Sequence, residues 1–296
     1  MFKTRELNIN FLKLRKPNYI ISIILSVISI ILVLNKGLNL GVDFAGGVVV
    51  EIYNENIIDL QELRKELHNN KIEEFSVFNL SSEKEIMIKV GLNNENQATT
   101  INMIRELIET KYPTTHFRKI DFVGPQVGEE LIKNGVIAVV LGFLSIMIYL
   151  WFRFEWQYSI GAILALAHDA LLTMGFFSLT QLEFNLTSIA ALLTIIGYSV
   201  NDSVVIYDRI RENLLKMRKN TIEHIVNKSI NDTLSRTTLT VLTTAFANLA
   251  LILFGGNVIA SFSIAMFFGI IIGTYSSIFL SAPVLINLRL KNSKVS

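Results

Sequence analysis

The sequence predicts an α-helical membrane protein: a bundle of six transmembrane helices with a small α+β domain, of ferredoxin-like βαββαβ type, on the outer side between helices 1 and 2. Hydrophobic residues make up 51% of the 296 residues and charged residues only 18%, and the mean hydropathy is +0.47. The apolar residues are concentrated in six long blocks, whereas one long polar segment has strand and helix patterns. This distribution excludes an ordinary soluble globular protein.

The six apolar blocks predict the transmembrane helices, because a hydrocarbon core of about 30 Å takes about 20 helical residues to cross. The first block follows basic residues, as in a secretory signal, but no cleavage site of small residues follows it, so we expect a retained helix. The predicted order is an N-terminus at 1–18, spans at 19–36, 131–152, 158–180, 186–207, 237–254 and 259–285, an outer domain at 37–130, a loop at 208–236 and a tail at 286–296.

Lysine and arginine in the short loops predict the orientation of these spans. Basic residues lie before the first span, between the second and third, in the loop 208–236 and in the tail 286–296. The loops after the third and fifth spans contain none. Both termini are therefore expected in the cytoplasm, with the loop 208–236 on the same side. This loop is basic and amphipathic, which predicts a helix along the membrane surface.

The polar segment 37–130 predicts a folded domain in which strands and helices follow the order β-α-β-β-α-β. Its predicted elements are a strand at 48–54, a helix at 59–69, strands at 74–80 and 85–90, a helix at 95–112 and a strand at 116–123. Asp59 and Glu62 have the spacing of a capping box at the first helix, and Pro113 ends the second. Such a fold hosts many functions, so it does not define one.

Glycine-containing segments flank this domain on both sides. The segment 41–47, GVDFAGG, predicts a tight connection into the first strand, because glycine permits backbone conformations that other residues avoid. A phosphate-binding loop is not expected, since no helix follows at once and no lysine lies in the segment. The segment 123–130, VGPQVGEE, is expected to lead the chain back into the second span.

The fourth span contains an acidic residue, Asp202, next to Asn201 within apolar sequence. A charged side chain at the centre of a membrane helix costs roughly 2.5 to 3.5 kcal/mol on insertion scales, so a function or a partner is expected for it. Two interpretations remain open. Asp202 is either a hydrogen-bonded packing group or a carboxyl group that binds and releases a proton, because desolvation favours its neutral form and a nearby cation its charged form.

The third span carries two further ionisable residues, His168 and Asp169, near its middle. They either form a relay with Asp202 or are a buried polar pair that joins the third and fourth spans. The sequence does not distinguish between these roles. With no cysteine in the chain and its four histidines far apart, neither a metal site nor a disulfide is expected, and no cofactor is expected either.

The fifth span begins with Arg236 and continues with a polar stripe on one helical face. The stripe consists of Thr237, Thr240, Thr244 and Asn248. Arg236 is either a cation that sets the orientation of the span or the partner of deprotonated Asp202, with the threonine hydroxyls bonded to the relay or its waters. The predicted proton relay therefore comprises Asp202, Arg236, Asn201, His168, Asp169 and Thr240.

The sixth span has small residues at four-residue spacing, which predicts a face for close helix packing. They are Gly269, Gly273, Ser277 and Ser281.

Several of these segments together resemble the SecF family, the smaller half of the bacterial SecD–SecF protein-export complex, within the RND transporter superfamily. The resemblance covers almost the whole chain, and the fourth-span segment is its most specific part. The matching segments are GVDFAGG at 41–47, VGPQVG at 123–128, His168-Asp169, GYSVNDSVVIYDRIREN at 197–213 and Ser235-Arg236-Thr237. In that family the positions of Asp202 and Arg236 are an aspartate implicated in proton conduction and its arginine partner.

The resemblance implies an accessory transport protein of the bacterial inner membrane, not an enzyme, that uses the proton gradient with SecD to assist preprotein translocation and release. The expected partners are SecD, the SecYEG translocon with its small membrane subunits, emerging preproteins and membrane lipids, and no nucleic acid. Two other functions are considered. One is a structural scaffold of the translocase without proton coupling. The other is a subunit of an RND-type small-molecule exporter, which the single small outer domain argues against because it leaves little room for a substrate tunnel.

Overall fold

The computed structural model describes residues 9–70, 72, 75–80, 82–91, 97–256, 259–288 and 290. Within these residues, six helices are long and apolar enough to cross a membrane, and an α+β domain lies between the first two. The predicted fold class is therefore confirmed. Predictions that fall on Glu74, on Glu95 and on the basic residues of the tail lie outside the described residues.

The first membrane helix, α1 (Arg15–Asn35), follows a single 3-10 turn at Phe11–Leu14. The glycine-containing segment after it includes one helical turn, α2 (Val42–Ala45), where the sequence predicted only a connection. Gly46 follows α2 with a φ of 80°, a left-handed value that glycine adopts without strain. The chain then passes directly into the first strand of the outer domain.

The outer domain consists of four strands and two helices, in the predicted order. They are β1 (Gly47–Asn54), α3 (Leu60–Asn69), β2 (Phe75–Asn79), β3 (Glu85–Gly91), α4 (Gln97–Lys111) and β4 (Thr115–Val123). The strands form one antiparallel sheet in the order β2-β3-β1-β4, as a ferredoxin-like fold requires. Alternate residues of β1 and β3 are buried because their apolar side chains pack against the two helices.

The two helices of the domain are held together by charged side chains. Asp59 caps α3, since its carboxylate accepts a hydrogen bond of 2.8 Å from the Gln61 backbone. Glu62, predicted to complete a capping box, instead pairs with Lys111 of α4 at 3.1 Å. Hydrogen bonds to Glu66 and Glu62 raise the pKa of Lys111 above its ordinary value. This ion pair therefore joins α3 to α4 and does not cap the start of α3.

The remaining membrane helices follow the domain without a break. They are α5 (Pro125–Arg153), α6 (Trp156–Thr180), α7 (Leu186–Lys216), α8 (Ile222–Phe254) and α9 (Ala260–Ser276), which continues through a π-helical segment (Ser277–Ser281) into α10 (Ala282–Asn287). Helices α6, α7 and α9 form the buried centre of the bundle, whereas α1, α5 and α8 expose most of their apolar side chains. The predicted re-entry segment is the first part of α5.

The stretch predicted as a surface helix at 208–236 is built differently. Helix α7 continues to Lys216 and α8 begins at Ile222, so the stretch consists of the packed ends of two long helices. Arg209 of α7 bonds Asp232 of α8 at 2.8 Å, and their apolar faces meet in the interior. The amphipathic pattern thus reflects helix–helix packing, because an apolar face has the same period whether it meets lipid or protein.

Replacing Gly47 by alanine should destabilise the outer domain by about 1–3 kcal/mol. A Cβ atom at Gly47 would lie against the backbone carbonyl oxygen of Val90 in β3, which cannot move without opening the sheet. Thermal unfolding of the purified protein measures the effect. Gly124→Ala is the matched control, because its added methyl group makes only an ordinary contact with Phe122 at 3.5 Å. Equal unfolding temperatures for both variants would contradict the close approach at Gly47.

Candidate functional site

Helix α7 places Asp202 inside the bundle, facing α9. Asp202 is only 3% exposed, and its Oδ2 atom has no hydrogen-bond partner among the described residues. Thr274 of α9 lies beside it, and the Thr274 hydroxyl donates to the Ile270 carbonyl at 2.9 Å. The Asp202 side chain is therefore enclosed between α7 and α9, with Thr274 as a polar neighbour.

Arg236 of α8 is the cation that acts on Asp202. The two side chains are near enough for an electrostatic interaction, but within the described part of the chain they do not form a direct ion pair. Arg236 itself is exposed at the surface of the bundle. An approach of Arg236 would place a counter-charge beside a carboxylate that now has an unbonded oxygen atom.

Asp169 is the best-satisfied buried carboxyl group in the bundle. It is 0% exposed and accepts hydrogen bonds from Ser199 of α7 at 2.6 Å and from Ser276 of α9 at 2.7 Å. His168 places its Nδ1 atom 3.1 Å from the same carboxylate, while its Nε2 atom has no partner among the described residues. One side chain thus joins α6, α7 and α9.

Asp169 and Asp202 both face the contact between α7 and α9. Ser199 precedes Asp202 by about one helical turn on α7, and Ser276 follows Thr274 by two residues on α9. A Cβ atom added at Gly273 of α9 would come within 3.1 Å of Ser199 of α7. The small-residue face predicted on the sixth span therefore meets α7 at the level of these two carboxyl groups.

The remaining predicted site residues lie elsewhere. Asn201 is exposed on the outer surface of α7, away from the side on which Asp202 is buried. Thr240 is half-buried, and its hydroxyl donates to the Arg236 carbonyl of its own helix at 2.9 Å. In the polar stripe, Tyr198 of α7 donates to Thr244 at 3.3 Å. The structure thus brings Asp202, His168 and Asp169 into the interior, with Arg236 nearby, but not Asn201.

Three residues that contact the buried carboxyl groups were not among the predicted site residues. They are Ser199, Thr274 and Ser276. Ser199 had a usable signal, since it shares a helical face with Asp202 at i−3. Thr274 and Ser276 had only a weak signal, because small polar residues in a membrane helix are also common at packing faces.

Comparison with known proteins gives two family matches. The family described as protein export membrane protein SecD/SecF, C-terminal, matches residues 103–291. The SecD/SecF GG motif matches residues 31–52, which include α2 and the start of β1. The first match contains all of the predicted site residues.

Individual relatives extend the similarity over nearly the whole chain. The protein translocase subunit SecF of Rickettsia rickettsii is 53% identical over 282 residues, which cover 95% of this chain and 92% of that protein. The corresponding subunit of Rickettsia prowazekii is 51% identical over 286 residues, covering 96% and 92%. A crystal structure of SecDF, a translocon-associated membrane protein from Thermus thermophilus, matches with a TM-score of 0.81 and 35% identity. That match covers 96% of this chain but only 39% of the longer SecDF chain.

Proposed function

Because the chain belongs to the SecD/SecF family of protein export membrane proteins, we propose that it is an accessory subunit of the Sec translocase that uses the proton motive force, with a SecD partner, to assist preprotein translocation and release. The single observation that carries the proton role is Asp202, a buried carboxyl group near a cation to which it is not directly bonded. A proton bound or released at that position changes the charge of the bundle interior.

Movement of Arg236 toward Asp202 is the proposed response to loss of the proton. An unpaired carboxylate removed from water costs several kcal/mol, and a guanidinium group at hydrogen-bond distance offsets much of that cost. Arg236 is exposed and can move toward the bundle, whereas the α7 backbone one turn before Asp202 packs closely against Gly273 of α9. Binding of a proton removes the attraction, and Arg236 then withdraws. The cycle thus converts a proton transfer into displacement of α8 against α7.

The contacts of Asp169 favour an anchoring role over a relay role. Its three hydrogen-bond partners come from its own helix, α7 and α9, so its carboxylate is stabilised without Arg236. A carboxyl group bonded in this way holds its surroundings together, because a fully satisfied buried network is rigid. In this proposal Asp169 keeps α6, α7 and α9 together as one unit, which moves relative to Arg236 and α8.

The exposed polar face of α7 is the proposed contact with SecD. Thr194, Gly197 and Asn201 lie on it, and no atom of the described chain comes within 4 Å of a Cβ atom built on Gly197. Polar side chains are costly against lipid, and a glycine allows another helix to approach closely. The related Thermus thermophilus protein is named SecDF, so SecD is the partner that we assign.

Gly197→Leu should weaken association with SecD by roughly tenfold, because a bulky side chain would prevent close approach of a partner helix. Co-purification of tagged SecD from detergent-solubilised membranes measures this association. Ala138→Leu, at an exposed position of α5, is the matched control and should leave the complex intact. If Gly197→Leu retained SecD and Ala138→Leu lost it, the contact with SecD would lie on another surface.

The alternative function is a structural scaffold of the translocase. In it Asp202 only packs against neighbouring helices and carries no proton. Export into membrane vesicles that contain Asp202→Asn, measured with and without a proton gradient, separates it from proton coupling. The variant is expected to assemble and to lose its response to the gradient.

A further inference from the structure

We propose that Asp43 is a positioning residue that ties the outer domain to the outer end of α7, so that displacement of the helix bearing Asp202 reaches the domain. The Asp43 Oδ2 atom accepts a hydrogen bond of 3.2 Å from the backbone N–H of Leu186, the first residue of α7. Asp43 lies in α2, which leads through Gly46 directly into β1. Only the final step, transmission of displacement, rests on the function proposed above.

Backbone contacts join the same two parts of the chain. The Gly41 N–H donates to the Phe184 carbonyl at 2.9 Å, and the Phe184 N–H donates to the Asn39 carbonyl at 2.7 Å. The rings of Phe44 and Phe184 lie 5.9 Å apart, within a buried apolar cluster. The segment before the domain and the loop before α7 therefore form one hydrogen-bonded unit.

An ion pair joins the sheet of the domain to this unit. Lys89 of β3 bonds Glu183 at 2.7 Å, and the two side chains are only 16% and 24% exposed. A partly buried pair of this kind is less screened by salt than a surface pair. The loop before α7 is thus attached to β3 through Lys89, and the first residue of α7 is attached to α2 through Asp43.

Close steric contacts leave α2 little freedom to slide. Gly128, in the first turn of α5, faces the backbone of α2 so closely that a Cβ atom there would overlap the Phe44 carbonyl. Gly41 faces the end of the flexible Glu183 side chain. A shift at the outer end of α7 reaches α2 through the hydrogen bonds of Asp43 and of the Gly41 and Phe184 backbone, and passes from α2 into the first strand of the domain.

Helix α7 connects this contact to the proton site. It is continuous from Leu186 to Lys216, so the rise of an α-helix places Leu186 and Asp202 about 24 Å apart along one rigid element. The negative charge of Asp43 also complements the positive end of the α7 dipole. Asparagine keeps an acceptor oxygen at this position but lacks the charge. Asp43→Asn should therefore retain the hydrogen bond to Leu186 and lose the interaction with the helix dipole.

The test uses the full chain with SecD in proteoliposomes. Because the chain has no cysteine, spin labels can be placed at introduced cysteines at Gln61, exposed on α3, and Leu179, exposed on α6. Asp43→Ala should broaden the distribution of distances between the labels, and Asp43→Asn should broaden it less. Asp121→Ala, an exposed acid of the domain paired with Lys119, is the matched control and should leave the distribution unchanged.

The second readout is preprotein export. If Asp43 had a purely structural role, its replacement would not alter the response of export to the proton gradient. Asp43→Ala should reduce the gradient-stimulated part of export about tenfold, as for loss of a hydrogen bond to a charged group, and leave the gradient-independent part unchanged. An unchanged distance distribution would overturn the tie. A broadened distribution with full gradient stimulation would overturn its role in transmission.

The distance measurement needs no gradient, so it decides the tie even if Asp202→Asn shows that the proposed proton role is wrong. Should Asp43→Ala fail to assemble, Lys89→Gln combined with Asp43→Asn weakens both attachments while it retains polar side chains. This double variant should broaden the distribution more than Asp43→Asn alone, and an equal width would again overturn the tie.

Discussion

Replacing Asp202 by asparagine should reduce export in the presence of a proton gradient to the level measured without one. Asparagine nearly preserves the size of the side chain and can bond Thr274, but it cannot bind and release a proton. The folded protein should be as stable as the parent chain or slightly more so, because the variant no longer buries an ionisable group with an unbonded oxygen atom. Assembly with SecD should be unaffected.

Preprotein export into proteoliposomes, with the gradient present or collapsed by an ionophore, measures this effect. Asp208→Asn is the matched control on the same helix, since Asp208 is exposed and pairs with Arg153 at 3.0 Å. The control should retain gradient stimulation. A full gradient response from Asp202→Asn would favour the scaffold function instead.

Replacing Asp169 by alanine should lower the free energy of unfolding of the bundle by about 2–5 kcal/mol. The substitution leaves the hydroxyl groups of Ser199 and Ser276 and the Nδ1 atom of His168 without their common acceptor. It also removes a buried side chain that joins the three central helices. The loss should therefore appear as reduced thermal stability and not as a specific loss of gradient response.

Unfolding midpoints in detergent micelles provide the measurement, with Asp202→Ala as the comparison. Asp202 has an unbonded carboxylate oxygen, so its removal should cost much less than removal of Asp169. Ser199→Ala and Ser276→Ala should each cost about 1 kcal/mol, the typical value of one hydrogen bond. An Asp169→Ala protein that is stable but insensitive to the gradient would assign Asp169 to the proton relay.

Much of the fold could be predicted because it is set by patterns local to the sequence. Apolar blocks define the six spans, and alternation with turn residues defines the strands of the outer domain. The ends of α7 and α8 were harder to predict, since the basic amphipathic pattern of 208–236 does not say what its apolar face meets. The turn α2 was missed because four residues are too few to show helical periodicity.

The candidate site could be predicted only in part. The cost of burying Asp202 and Asp169 singles both residues out from the sequence alone. Their partners could not be assigned, because Ser199, Thr274 and Ser276 come from different helices whose relative rotation no sequence spacing records. For the same reason Asn201, adjacent to Asp202 in sequence, was grouped with it although the helix turns its side chain to the outer surface.

The contact of Asp43 with α7 was likewise beyond sequence reasoning. It joins residues 143 positions apart, and from the sequence the glycines near it predicted only a tight connection into the first strand. Gly128 is the informative case, since its lack of a side chain is needed for contact with the backbone of α2 and not for a turn.

The most direct measurement is infrared difference spectroscopy of the protein with SecD in liposomes while the pH is changed. A carboxyl group that alternates between neutral and charged forms gives a C=O stretching band that appears and disappears. Exposed carboxyl groups give such bands in every variant, so the informative signal is the difference between variants. We expect one band that is present in the parent protein and in Asp208→Asn and missing from Asp202→Asn. A spectrum of Asp202→Asn with the same band as the parent protein would show that another group carries the proton.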